Sequence, residues 1–127
     1  MDSLTFSTKE VFSLGTMQFV GGGRIEIEFL FKHYITKKDL DISRAKALYW
    51  TLSRMGDVGT TLLKKQCELS SNYSCVVKID KDDTFYLEGK YIQQITLIDA
   101  NDQPIIGGQG IIFINRNNDD YTISLTK

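Results

Sequence analysis

The chain has a single histidine, a single proline, two cysteines and no long apolar run. One histidine removes multi-histidine metal sites and leaves one candidate at most for a histidine dyad or triad. That residue, His33, stands beside Tyr34 at the end of an expected strand and reads as a surface or capping side chain. Cys67 and Cys75 make neither a disulfide framework nor a Cys-x-x-Cys motif, so zinc and thioredoxin-type chemistry have no footing. Flanking a hairpin, the two would face each other and either bridge or, in a reducing compartment, stay as thiols. No stretch approaches the roughly 20 apolar residues that span a bilayer. The start, Met-Asp-Ser-Leu-Thr-Phe-Ser, lacks the basic and apolar regions of a secretory signal. A cytoplasmic chain is therefore expected.

Charge of one sign is also missing. Fifteen Lys and Arg oppose sixteen Asp and Glu, a net charge of −1, so no global field favours nucleic acid or an anionic membrane. The Lys37–Lys38 and Lys64–Lys65 pairs read as solvated surface. Phosphate-cradling loops are absent too. Gly21-Gly22-Gly23 is followed by a strand pattern rather than a helix, and Gly107-Gly108-Gln109-Gly110 fails the same test. No cofactor or metal is expected.

Present instead is strand periodicity. From Arg24 to Phe29 apolar and charged residues alternate, and the same period over Arg24–Lys32 places Ile25, Ile27, Phe29 and Phe31 on one face and Arg24, Glu26 and Glu28 on the other. Thr16–Val20, the glycine triplet and Arg24–Lys32 read as a hairpin with Phe19 facing Ile25 and Met17 facing Ile27. A helix is expected over residues 43–55. Ser43 or Asp41 would cap it, Gly56 would stop it, and Ala45, Leu48, Leu52 and Met55 would form its apolar stripe, with Trp50 off centre. Residues 60–69 fit strand or helix, and the turn-like Ser70–Tyr73 favours strand.

The last fifty residues carry turn chemistry at Asp80–Asp83, Asp99–Pro104 and Asn115–Asp120. An Asn101-Asp102 turn puts Tyr91 opposite Ile112 and Leu97 opposite Ile106. A turn at Asn117-Asn118 puts Ile114 opposite Tyr121. Both registers give one apolar face and predict an antiparallel meander. The other face then carries Ile92, Ile98, Ile105, Ile111 and Phe113, where a half-buried sheet should be polar. Gly107, Gly108 and Gly110 mark a bulge, a bend or a close backbone approach. The acidic turns would gather hard oxygen ligands suited to calcium if Asp80–Asp83 and Asp119-Asp120 met at one end; turn formation is their ordinary role.

Within Gln94–Phe113, the run Ile-Asp-Ala-Asn-Asp-Gln-Pro-Ile-Ile-Gly-Gly resembles hairpins of bacterial immunoglobulin-like surface domains. The expected helix does not fit such a sandwich, so the resemblance is not extended to the rest of the chain.

Residues 1–127 are thus expected to form one α+β domain. It would be a curved, mainly antiparallel sheet of about six to eight strands, as a sandwich or partial barrel, with one principal helix. No catalytic set emerges, which points away from an enzyme. The expected function is a non-enzymatic protein-binding module, such as a small intracellular inhibitor, antitoxin or immunity-type protein. Its partner would be another protein, a toxin or enzyme, or a second copy, engaged through Ile92, Ile111 and Phe113 or through Arg24, Glu26 and Glu28. The alternative is a carrier or sensor of a small apolar ligand.

Overall fold

The computed structural model describes residues 2–6, 12–33, 36, 38–56 and 60–117. Its strands are β1 (Asp2–Phe6), β2 (Phe12–Val20), β3 (Ile25–His33), β4 (Ala47–Arg54), β5 (Thr61–Gln66), β6 (Glu68–Ser71), β7 (Ser74–Ile79), β8 (Gly89–Ile98) and β9 (Pro104–Asn115). One four-residue helical turn, α1 (Lys81–Thr84), precedes β8. The strands form two sheets, β1-β3-β7-β6 and β2-β9-β8-β4-β5. One core lies between them, the arrangement of a β-sandwich. Most pairs are antiparallel; β1 with β3 and β2 with β9 run parallel.

This corrects the α+β expectation, and the reason sits in one segment. Residues 47–54 form β4, not a helix. Leu48 and Leu52 are four apart, a spacing that satisfies a helical period and a strand period alike. Trp50, midway between them, decides the matter. Leu48, Trp50 and Leu52 are all buried, while Tyr49, Thr51 and Ser53 between them are half-buried. Tyr, Trp and Thr also favour a pleated surface over a helix. Met55, placed in the core by the helical pattern, is 40% exposed.

The expected N-terminal hairpin is also corrected. β2 and β3 do not pair. β2 lies along β9, with Met17 opposite Ile112 and Phe19 opposite Ile114. β3 lies between β1 and β7, with Ile27 opposite Val77. Gly21–Gly23 therefore carries the chain from one sheet to the other. Both strands do send their apolar residues into the shared core, so alternation was a sound guide to facing and a poor one to partner.

The 89–115 hairpin follows the expected register from Tyr91↔Ile112 to Ile95↔Gly108. A shift between Ile95 and Thr96 then sets Leu97 opposite Ile105 rather than Ile106, so Ile105 packs against the core instead of facing out. The irregularity falls at the glycine cluster. Gly110 is also closely approached: a Cβ there would lie 2.6 Å from the Gly15 carbonyl oxygen. At the turn, Asp99 Oδ1 accepts from the backbone of Asn101 and Gln103, both at 2.9 Å. The strand expected after the Asn117-Asn118 turn, which would set Tyr121 opposite Ile114, lies outside the described residues. The edge of β9 assigned to it holds β2.

Gln93 centres a polar network inside the core. Trp50 Nε1 donates to Gln93 Oε1 at 2.9 Å, and Gln93 Nε2 donates to Met17 Sδ at 3.2 Å. Gln93 is fully buried, so these bonds supply the partners its amide loses on leaving water.

Residues 60–69 are strand, with a break. β5 is an edge of the five-stranded sheet and β6 an edge of the other, and the chain changes sheet at the buried Cys67. Lys65 pins this corner: its Nζ donates to Asp83 Oδ2 at 2.5 Å and to the Lys78 carbonyl at 3.2 Å, with Asp80 at 3.6 Å. The hydrogen bond to Asp83, opposed by burial, raises the Lys65 pKa above its ordinary 10.5. A raised value means that folding tightens the proton. The stabilisation is therefore complete below lysine's ordinary range and is lost as pH climbs through the folded value. Lys65→Met is expected to lower stability by about 1 kcal/mol at neutral pH. Urea midpoints of variant and wild type should converge as pH is raised through that range.

Candidate protein-binding face

Strand alternation fixes which side chains can form a surface site. On the five-stranded sheet, Tyr91, Gln93, Ile95, Ile112 and Ile114 point into the core, so Ile92, Ile111 and Phe113 point out. Ile92 and Ile111 are directly opposed across β8 and β9. Phe113, two residues on, stands opposite Gln18 on one side and Lys90 on the other. It is 36% exposed, with Lys90 Nζ 5.3 Å from its ring centroid. The three residues make one apolar stripe. Beside it Thr16, Met55, Gln109, Ile92 and Ile111 line a shallow depression of about 320 Å³.

Beyond the stripe the same face turns polar. Gln109 Nε2 donates to Gln94 Oε1 at 2.6 Å, and Gln94 Nε2 donates to Thr96 Oγ1 at 3.0 Å. Lys64 Nζ sits 4.4 Å over the Tyr49 ring, covering that aromatic with its charge. The face thus pairs an apolar end with a hydrogen-bonded polar end.

Arg24, Glu26 and Glu28 lie elsewhere. Arg24 precedes β3, and Glu26 and Glu28 belong to it, opposite Lys78 and Val76. Ile27 between them and Phe29 after them are core, so these carboxylates face out from the four-stranded sheet. The six candidate residues therefore form two surfaces on opposite sides of the sandwich. Sequence reasoning missed Val20, 50% exposed at the end of the outward set of β2, and Met55 beside the stripe. Met55 was hidden by its place in a helical pattern.

The other candidates resolve differently. Asp80–Asp83 forms a reciprocal capping box around α1, in which the Asp83 carboxylate accepts from the Asp80 backbone at 2.8 Å. No cluster of metal-ligating side chains occurs among the described residues; Asp119 and Asp120 lie outside them, as does the side chain of His33. Lys64 and Lys65 are committed to Tyr49 and Asp83. Cys67 and Cys75 are free, buried thiols. Among the described residues no helix is long and apolar enough to cross a membrane.

No protein-family profile matches the chain, and no curated protein does. Neither the sandwich nor these comparisons supports the inhibitor or immunity-type role, which is set aside with the α+β class. Among solved structures, the chain is similar to the fibronectin(III)-like modules of Clostridium thermocellum CbhA at 11% identity, over 93% of this chain and 100% of that one, with a TM-score of 0.48.

Proposed function

We propose that the chain is a non-enzymatic protein-binding module that engages another protein, or a second copy, through the stripe Ile92–Ile111–Phe113. The observation that supports this reading is the direct opposition of Ile92 and Ile111 on an outward sheet face, with Phe113 beside them. Scattered apolar surface residues are ordinary, but contiguous ones at the centre of a sheet face suit a contact surface. The carrier reading needs interior space, whereas the core between the sheets holds the large buried side chains Trp50, Tyr91, Phe29 and Phe31.

The test is Phe113→Asp, with partner affinity measured by calorimetry on the complex from native cells and self-association measured by sedimentation. Burying a carboxylate at a contact centre is expected to weaken binding roughly 10- to 100-fold, with the thermal midpoint within a few degrees of wild type. Glu26→Lys, on the opposite sheet, is expected to leave binding unchanged. Intact binding by Phe113→Asp, or a monomer that no longer folds, would overturn the reading.

A further inference from the structure

Cys67 and Cys75 lie where one run of chain passes from sheet to sheet. Cys67 separates β5 from β6. Its backbone N–H donates to the Leu48 carbonyl at 2.7 Å, which ties it to the five-stranded sheet. Cys75 belongs to β7 in the other sheet, opposite Phe29 and Leu69. The pairs Glu68↔Val76 and Leu69↔Cys75 make Cys67 the diagonal, same-face neighbour of Cys75. Both side chains point inward, at 6% and 0% exposure.

We propose that Cys67 and Cys75 are a disulfide-forming pair, a covalent staple between the two sheets that closes when the protein meets a low-molecular-weight disulfide. The chemistry is thiol–disulfide exchange. One cysteine loses its proton to solvent, and the thiolate attacks oxidised glutathione. A mixed disulfide forms and one glutathione leaves. The second cysteine, deprotonated in turn, attacks the protein sulfur of the mixed disulfide and expels the second glutathione. Two protein thiols are oxidised and one glutathione disulfide is reduced, so the electrons balance.

Cys67 is the entry point for the oxidant. It adjoins β6, a four-residue edge strand whose side chains are all exposed, and short edge strands open at low cost. Cys75 is protected: its contact with Cys67, then burial, push its thiol well above the ordinary range. Thiolate is scarce there, so exchange is slow in the folded state. Diagonal neighbours sit near the outer limit of disulfide reach. Closure therefore draws Cys67 toward β7, and the irregular ladder beside it, which shifts register between Leu69 and Ser71, allows that movement.

The experiment incubates the full chain with oxidised glutathione and maps peptides without reduction. A Cys67–Cys75 cross-linked peptide is expected, with a thermal midpoint roughly 5–10 °C above the reduced protein, reversed by dithiothreitol. Cys75→Ser is expected to stop at a glutathione adduct on Cys67 with no rise in midpoint. The proposal is overturned if prolonged exposure yields no cross-linked peptide, if only glutathione adducts or intermolecular dimers form, or if the bridged protein melts below the reduced one. Should Cys75→Ser not fold, the wild-type peptide map and midpoint decide alone.

Discussion

Trp50→Ala is expected to destabilise the protein by about 4 kcal/mol, the range for emptying a fully buried aromatic site. A domain of this size is held by roughly 5–15 kcal/mol, so one substitution removes a large share. Two effects add. The indole is completely buried in the middle of β4, among Leu48, Leu52 and Ile95, so its loss leaves a cavity that rigid strands cannot close. Its Nε1 also serves Gln93 Oε1, and without it the amide carbonyl is buried with no donor, which accounts for ~1–3 kcal/mol of that total. Trp50→Phe separates the two, because it keeps most of the apolar volume and removes only the donor. Chemical denaturation should rank wild type, Trp50→Phe and Trp50→Ala in that order. Tyr49→Ala, one residue away on the outward face, should cost about 1 kcal/mol or less. Met55→Ala should be equally mild. A helix over 43–55 would demand the opposite for Met55, so this short series distinguishes the strand from the helix by energetics alone.

That series also shows what was legible in the sequence. Period-two alternation was clear at Arg24–Phe29, because charged and apolar residues take strict turns there. It was masked at 47–54, where Tyr49 and Thr51 interrupt the apolar set with residues that are themselves half-buried. A sheet whose outer face is partly apolar loses contrast between its faces, and a helical stripe then fits almost as well. The same loss of contrast exposed the candidate site. Ile92, Ile111 and Phe113 could be placed opposite the core face because the register around Tyr91↔Ile112 follows from the Asn101-Asp102 turn. Only the residues beyond the glycine irregularity slipped, since a bulge changes facing by one residue and leaves no trace in hydrophobicity. What the sequence could not show was which strands pair. Thr16–Val20 and Arg24–Lys32 are adjacent in the chain and share an inward set, yet they line opposite walls of one core. Local pattern specifies a face; a partner chosen across nearly a hundred residues, as β2 chooses β9, is a property of the whole fold.

The glycine triplet offers the sharpest test of that distinction. In a hairpin turn Gly21, Gly22 and Gly23 would all serve for conformational freedom. In the crossover their roles differ, and so do the expected costs. A Cβ on Gly21 would lie 2.3 Å from the Thr84 carbonyl oxygen and 3.3 Å from both the Leu87 carbonyl oxygen and Ile114 Cγ2. The obstruction is backbone, which cannot rotate aside. Gly21 is also fixed in place, donating to the Asn115 carbonyl at 3.0 Å and accepting from Asn117 Nδ2 at 2.7 Å. Gly21→Ala is therefore expected to cost about 3 kcal/mol, the upper range for forcing atoms into a packed site. Gly22 has φ of 84°, and its N–H donates to the buried Thr84 Oγ1 at 2.9 Å. Gly22→Ala should cost about 1–2 kcal/mol from the left-handed backbone alone. Gly23 has only the Val20 carbonyl at 3.7 Å from its built Cβ, so Gly23→Ala should fall within about 0.5 kcal/mol of wild type. Urea unfolding of the three variants should give a graded series falling from Gly21 to Gly23. Equal effects would restore the hairpin. A graded series ties the end of β2 to the Thr84–Leu87 corner, the contact that turns two strands adjacent in sequence into members of opposite sheets.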